Sequence, residues 1–227
     1  QGFFYLDHRS VDGKHGLITD THVTPGNKHD SQPYIARLDR QLKRFGFEPV
    51  AVGLDAGYNT AMLCHLVRER QIEPVVGYRR PNKGKGLLRK SAFSYRRESD
   101  SYLCPQGQAL IYSTTNREGY REYKSGSSKC RDCPMLKSCT KSKNHTRVLT
   151  RHVFEGAKEA ANATRLSSWG KKIYKRRKET VERSFADAKQ HHGHRYARFR
   201  GLEKVQMQCL LAGAAQNIKK MALLLAA

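Results

Sequence analysis

The chain has 227 residues, 38% of them hydrophobic and 28% charged, with a formal net charge of +23. That length allows one large domain, or a domain with an insertion, and that composition excludes a disordered chain. Residues 1–75 balance nine Lys/Arg against nine Asp/Glu, so residues 76–227 carry the whole excess, a field that favours a polyanion such as nucleic acid.

Gly2–Val11 alternates and is rich in β-formers, Asp12-Gly13 is a hairpin turn signal, and Gly16–Val23 is the returning strand. After the loop Thr24–Asn27, the stripe Tyr34, Ile35, Leu38, Leu42 and Phe45 predicts a helix over Asp30–Phe45 that Gly46 ends, with Asp30 as its cap. Glu48–Asp55 is a short apolar run, the pattern of a strand buried on both faces. Thr60 caps a helix to Arg70 with Met62, Leu63 and Leu66 inward, and Ile72–Gly77 is the next strand. The order hairpin, helix, strand, helix, strand predicts an α/β core with a mixed sheet over residues 1–79.

From Tyr78 the texture changes. Pro81–Gly86 reads as a flexible basic loop, and Ala92–Leu103 with Gln108–Ser113 as strands of a small β-rich insertion over residues 80–149. Residues 150–227 read as the helical remainder of the core: a helix over Thr150–Leu166, Ser167/Ser168 as a cap, and a long basic helix. A His/Gly/Arg-rich break follows over His191–Gly201. The last helix, Leu202–Leu225, turns Val205, Leu210, Leu211, Ala214, Ile218, Met221 and Leu225 inward. Trp169 is a candidate core residue. Six polar or charged residues interrupt Val205–Ala227, which makes it a poor membrane span, and Gly2–Leu6 is too short for a signal sequence. No membrane partner is expected.

Four cysteines, Cys104, Cys130, Cys133 and Cys139, cluster in the insertion. A C-x2-C pair is half of a common zinc site, and four thiolates would close a tetrahedral shell, the alternative being four free thiols. Cys64 and Cys209 lie in apolar helical patterns and read as buried small hydrophobes. Lys171–Arg200 carries eleven Lys/Arg against three acids. Within it Val181, Phe185 and Ala188 form an inward stripe, while Glu182 sits among cations, which read alone is a surface acid. The basic residues Lys175, Arg176, Lys178, Arg183, Arg195, Arg198 and Arg200 are candidate phosphate contacts, with Tyr196 and Phe199 interleaved for stacking. His191, His192 and His194 read as phosphate contacts or solvated groups rather than metal ligands. Asp55 ends a buried strand just before Gly57, where functional groups gather in open α/β sheets; a turn or capping role is the alternative. Two carboxylates from distant parts of a basic chain suggest a divalent-metal site for phosphoryl transfer, since Mg²⁺ or Mn²⁺ takes hard oxygen ligands.

Gly53-Leu54-Asp55-Ala56-Gly57-Tyr58, then Val181-Glu182-Arg183-Ser184-Phe185 and Lys189, resemble the DDE transposases of bacterial insertion sequences, as does the block His22–Asn27 followed by His29-Asp30-Ser31. The resemblance implies a ribonuclease-H-like mixed sheet flanked by helices, and a two-metal, three-carboxylate site that cuts and joins DNA. In it Asp55 and Glu182 are metal ligands and Lys189 a DNA contact. It also implies element ends and target DNA as partners, a homo-oligomer on DNA, and a bacterial cytoplasmic, nucleoid-associated setting. Relatives carry a Tyr and an Arg before the Glu; Tyr174 and Arg177 have the expected mutual spacing, but Arg177 falls five residues before Glu182 rather than four. The family's first acid lies on a strand before the hairpin. None of Asp7, Asp12 or Asp20 occupies that position, and the chain opens at Gln1, so it reads as a fragment without its first catalytic Asp, inactive as it stands. A zinc-stapled DNA-binding protein without catalysis, or a nuclease on the same fold, are the alternative readings.

Overall fold

The computed structural model describes residues 4–78 and 86–226. Pro81–Lys85 of the expected basic loop lie outside the described residues. The chain divides into two compact units, residues 1–79 with 157–227, and residues 80–156.

In the first unit, β1 (Tyr5–Val11) and β2 (Ile18–Pro25) form an antiparallel hairpin. Asp12 closes its turn, accepting the backbone N–H of Lys14 at 2.7 Å, His15 at 2.9 Å and Leu17 at 3.1 Å. Burial pushes its carboxyl up, but those three donors outweigh it and the net pKa is lowered. Helix α1 is Tyr34–Phe45, four residues shorter than the sequence predicts. Pro33 sits at its N-cap and makes no side-chain cap bond, and a residue before proline is steered away from helical backbone, so the helix cannot start at Asp30. Asp30 is thereby released from capping. Strand β3 (Ala51–Leu54), helix α2 (Ala61–Glu69) and strand β4 (Glu73–Val76) make a parallel crossover. The Thr60 hydroxyl caps α2, accepting Leu63 N–H at 3.2 Å. Leu63, Cys64 and Val67 enter the core with Leu38, Leu54, Ile72, Val76 and Ala161, whereas Met62 faces solvent.

In the second unit, β5 (Ser94–Arg96), β6 (Ser101–Leu103), β7 (Ala109–Thr115), β8 (Tyr120–Ser125) and β9 (Val148–His152) form one antiparallel sheet in that order, with short helices α3 (Ser127–Arg131) and α4 (Leu136–Cys139) between the last two strands. Thr150 therefore belongs to a strand rather than opening a helix; α5 begins at Glu155 and ends at Leu166. Phe93, Tyr102, Leu110, Tyr123 and Leu149 form this unit's core. The Tyr95 and Tyr123 hydroxyls donate to one Asp100 oxygen at 2.7 and 2.6 Å, and these bonds hold that carboxyl below the usual range.

The predicted basic helix is three pieces: α6 (Ser168–Arg177), a π turn (Lys178–Glu182) and α7 (Arg183–His191). Ser167 caps α6, accepting Gly170 N–H at 3.0 Å. Trp169 is largely exposed rather than core. Ala188 is fully buried and Val181 and Phe185 partly so, as the stripe predicts. Gly170 carries the α5–α6 corner: a Cβ there would overlap the Thr164 carbonyl oxygen and sit 2.7 Å from its carbon. Gly170→Ala should therefore lower stability by about 3 kcal/mol despite a propensity gain of about 1 kcal/mol, read as a fall in thermal midpoint. A stabilised variant would contradict that packing.

Helix α8 (Leu202–Leu225) turns a different face inward from the one expected. Val205, Cys209, Ala212, Gly213 and Gln216 are buried, while Leu210, Leu211, Ile218, Met221 and Leu225 are exposed. Apolar residues surround most of this helix, so bulk alone does not choose the face. The edge of β2 does: Gln206 accepts Val23 N–H and donates to Thr21 C=O, and Asn217 does the same for Ile18. Small residues let the backbones approach, and Gly213 lies against Thr21 and Ile18.

Candidate active site

Asp55 directly follows β3 in extended backbone, and its Oδ1 accepts Gly57 N–H at 2.8 Å, capping the single 3-10 turn Ala56–Tyr58. It thus has the capping role considered as the alternative, but with one oxygen. Asp30 comes to the same place. A Cβ on Gly57 would sit 2.7 Å from Asp30 Oδ2 and 3.1 Å from Asp55 Oδ1, so only glycine lets the two carboxylates flank this turn. The sequence reading missed Asp30; the signal was Pro33, which denies it the helix.

Tyr58 and His8 complete the surroundings. His8 Nε2 meets Thr24 Oγ1 at 2.8 Å and Nδ1 lies 3.4 Å from the Tyr58 hydroxyl. Burial lowers the His8 pKa, although the charges of Asp30, Asp7 and Asp55 pull it the other way. Burial raises the Tyr58 pKa, and Asp30 and Asp55 push it in the same direction.

Glu182 is half-exposed at the end of the π turn and pairs with Arg177, Oε1 to Nη1 at 3.6 Å. In a π turn residues five apart come into line, so the extra residue between Arg177 and Glu182 is absorbed by the bulge. Arg177 in turn donates to the Tyr174 hydroxyl at 3.4 Å. Both side chains lie against the strands that end at the site. A Cβ on Gly53 would be 3.1 Å from Arg177 Cγ. One on Gly77 would be 2.6 Å from the Tyr174 hydroxyl and 3.2 Å from the Asp55 carbonyl carbon. Tyr174 and Arg177 therefore link the Glu182 helix to the Asp55 turn.

The other acids are committed elsewhere. Asp20 is buried and paired with Arg37 and Arg40, and Asp12 holds the hairpin turn. Asp7 binds Arg9 at 2.8 Å and His194 Nε2 at 3.2 Å, and Cys209 Sγ lies 3.8 Å from that same nitrogen. His194 is thus an inward residue rather than a phosphate contact, and His192 pairs with Asp187 at 3.4 Å; His191 alone of the three is exposed. Because acid and thiol meet the same imidazole nitrogen, the group cannot relay a proton as a triad does. Burial first, then the Asp7 charge, pushes the Cys209 thiol up to about 12.

Lys175, Arg176, Lys178, Arg183, Lys189, Arg195, Arg198 and Arg200 are all exposed. Arg176 is partly committed, donating to the Gly13 carbonyl at 2.8 and 3.0 Å. In the second unit Cys104, Cys130, Cys133 and Cys139 are free and partly buried. Burial raises the Cys139 pKa, and the other three thiols add to it, so the four lie within electrostatic reach of one another. Cys104 Sγ accepts Gln108 N–H at 3.3 Å in the tight turn closed by Gly107.

The family model described as Transposase DDE domain matches residues 103–222, more than half of the chain. The chain belongs to this transposase family. No curated protein and no solved structure matched. The matched span of the transposase domain includes Glu182, Lys189 and the four insertion cysteines, and Asp55 precedes it. Transposase function, DNA phosphoryl transfer and DNA as partner follow from membership at the level of the family. No helix among the described residues is long and apolar enough to cross a membrane.

Proposed function

We propose that this chain is the catalytic portion of a DNA transposase with a ribonuclease-H-like core, in which Asp55 and Glu182 hold a divalent ion and Asp30 shares the cradle. The observation that carries this reading is the pair of carboxylates around Gly57, joined to Glu182 by Tyr174 and Arg177. Their donor set fits: Mg²⁺ and Mn²⁺ take hard oxygen ligands, and a glycine cradle leaves room beside the oxygens. Bound there, such an ion would supply Lewis-acid activation of a phosphodiester and of the attacking oxygen. Tyr174 and Arg177 fix the Glu182 carboxylate, and the exposed cations from Lys175 to Arg200 hold the DNA backbone across it. In a Mn²⁺ titration the protein should bind the ion, and Asp55→Asn and Glu182→Gln should each abolish that binding while salt-sensitive DNA binding persists. Unchanged Mn²⁺ binding in both variants would favour a DNA-binding module whose acids are structural.

The second unit fits a structural zinc role for Cys104, Cys130, Cys133 and Cys139, since a small sheet with one five-residue core gains from a metal staple. Native alkylation at pH 8 checks this. Those four thiols should react only after chelation, whereas Cys64 and Cys209, buried and pushed up to about 11 and about 12, should react only on unfolding. Labelling of all four without chelator would remove the zinc assignment.

A further inference from the structure

Tyr5 and Asp7 share one face of β1, and Val205 and Cys209 share one face of α8. These faces meet: Tyr5 packs against Val23, Val205 and Cys209, which brings Asp7 beside Cys209. A third side chain arrives from the break after α7. Gly193 is left-handed at that helix end, with φ at +62°, and the Ala188 carbonyl accepts both His192 N–H and His194 N–H at 3.1 Å. The chain therefore doubles back and carries His194 inward.

The ligand atoms of Asp7, His194 and Cys209 all lie within 4.8 Å of one another. Asp7 Oδ2 stands 3.2 Å from His194 Nε2, and Cys209 Sγ stands 3.8 Å from it. Around a tetrahedral zinc, with bonds of about 2.0 Å to oxygen and nitrogen and about 2.3 Å to sulfur, the corresponding edges are about 3.3 and about 3.6 Å. Convergence on one nitrogen fails as a proton relay but suits ligands around a common point. Asp7 Oδ2 also accepts Arg9 at 2.8 Å, whereas Oδ1 is buried with no hydrogen-bond partner among the described residues. The carboxylate thus keeps lone pairs for an ion without releasing Arg9. A cavity of about 140 Å³, bordered by the three side chains with Tyr5, Val23 and Gln208, has room for a water as a fourth ligand.

We infer that Asp7, His194 and Cys209 form a zinc site with three protein ligands and one open position, which clasps the segment after α7 to β1 and α8. Zn²⁺ takes Cys209 as the thiolate, whose proton leaves to solvent, and binds neutral His194 at Nε2 with the ring proton on Nδ1. Arg9 decides which ion enters. Its guanidinium is fully buried and opposes a dication, which disfavours hard ions such as Mg²⁺ that bind through oxygen charge. Zn²⁺ gains from thiolate and imidazole, which hard ions do not favour. The inference stands on the convergence of these donors and depends neither on the catalytic reading nor on the insertion cysteines.

The test titrates the reduced, metal-free full chain with Co²⁺, a probe that shares nitrogen and sulfur ligands with zinc and reports bound thiolate through a sulfur-to-cobalt charge-transfer band. The unmodified chain should bind one more thiolate-ligated Co²⁺ than Cys209→Ala does. That difference is the same whether or not the insertion binds metal. His194→Gln should weaken this equivalent by about a hundredfold. Asp55→Asn, which should lose Mn²⁺, should keep it, so failure of the catalytic reading and failure of this one are told apart. Both site variants are melted first without metal, and if one is unfolded the other carries the comparison. In the unmodified chain Co²⁺ should also slow amide exchange over residues 194–200, a readout that needs no variant. Equal cobalt stoichiometry and band intensity with and without Cys209, full affinity in His194→Gln, or unchanged exchange over that segment would overturn the inference.

Discussion

Asp55→Ala or Glu182→Ala, made in a cleavage-competent transposase containing this chain, should lower strand cleavage by about a thousandfold or more while DNA affinity stays within about twofold. The size follows from what a carboxylate ligand supports: Lewis-acid stabilisation worth several kcal/mol, at about 1.4 kcal/mol per tenfold in rate. Binding survives because affinity for the DNA backbone comes from cations, and neither substitution removes one. Asp30→Asn should give a smaller loss, since it keeps the shape beside Gly57 and removes only charge. Cleavage assays on labelled element ends, paired with binding at two salt concentrations, separate the effects. Retained cleavage in the Asp55 and Glu182 variants would rule out both ligands. Arg177→Ala belongs to the same series as a positioning change. It should reduce cleavage with metal saturating by about ten- to a hundredfold, and Arg177→Lys should recover only part of that, because one guanidinium nitrogen, Nη1, meets both Tyr174 and Glu182 and an ammonium on a different stem does not reproduce that position.

Deleting Thr180 should leave the fold nearly unchanged, within about 1 kcal/mol, whereas deleting Ala186 should unfold the packing of α7. The contrast comes from the π turn. One extra residue within Lys178–Glu182 widens a single turn and leaves α6 and α7 each in its own register, so removing one residue there converts the bulge to ordinary α-helix. Both flanking faces keep their partners, and Arg177 and Glu182 become spaced as in an unbroken helix. A deletion inside α7 has no bulge to absorb it. It rotates the flanking residues relative to each other by about 100°, turning Ser184 away from Arg9 or Ala188 out of a fully buried site. The expected cost, above about 4 kcal/mol, is that of placing a charged neighbour such as Lys189 in that site. Circular dichroism melts of the two deletions measure this, and equal destabilisation would show that the π turn carries no slack.

The same residues show where sequence reading succeeds and where it stops. Alternation placed the hairpin, the continuous apolar run placed β3, and Thr60 and Ser167 marked two helix starts, because each depends on neighbours in the chain. The stripe Val181, Phe185 and Ala188 was legible for the same reason. The inward face of α8 was not, because nearly every side of it is apolar and the choice fell to amides reaching a strand edge almost two hundred residues away. Asp30 read as a cap until proline geometry excluded it, and its approach to Asp55 depends on a glycine in another segment. The spacing of Arg177 looked irregular until the backbone absorbed the extra residue.

By itself, then, the sequence determined the family and the basic field that suits a DNA partner, and it singled out Asp55 and Glu182 as candidates, since these are matters of residue identity and order. Only the tertiary structure decided which carboxylates meet, which histidines turn inward and which face of α8 meets β2. Those outcomes rest on hydrogen-bond satisfaction and close packing between segments far apart in the chain, and no local pattern encodes them.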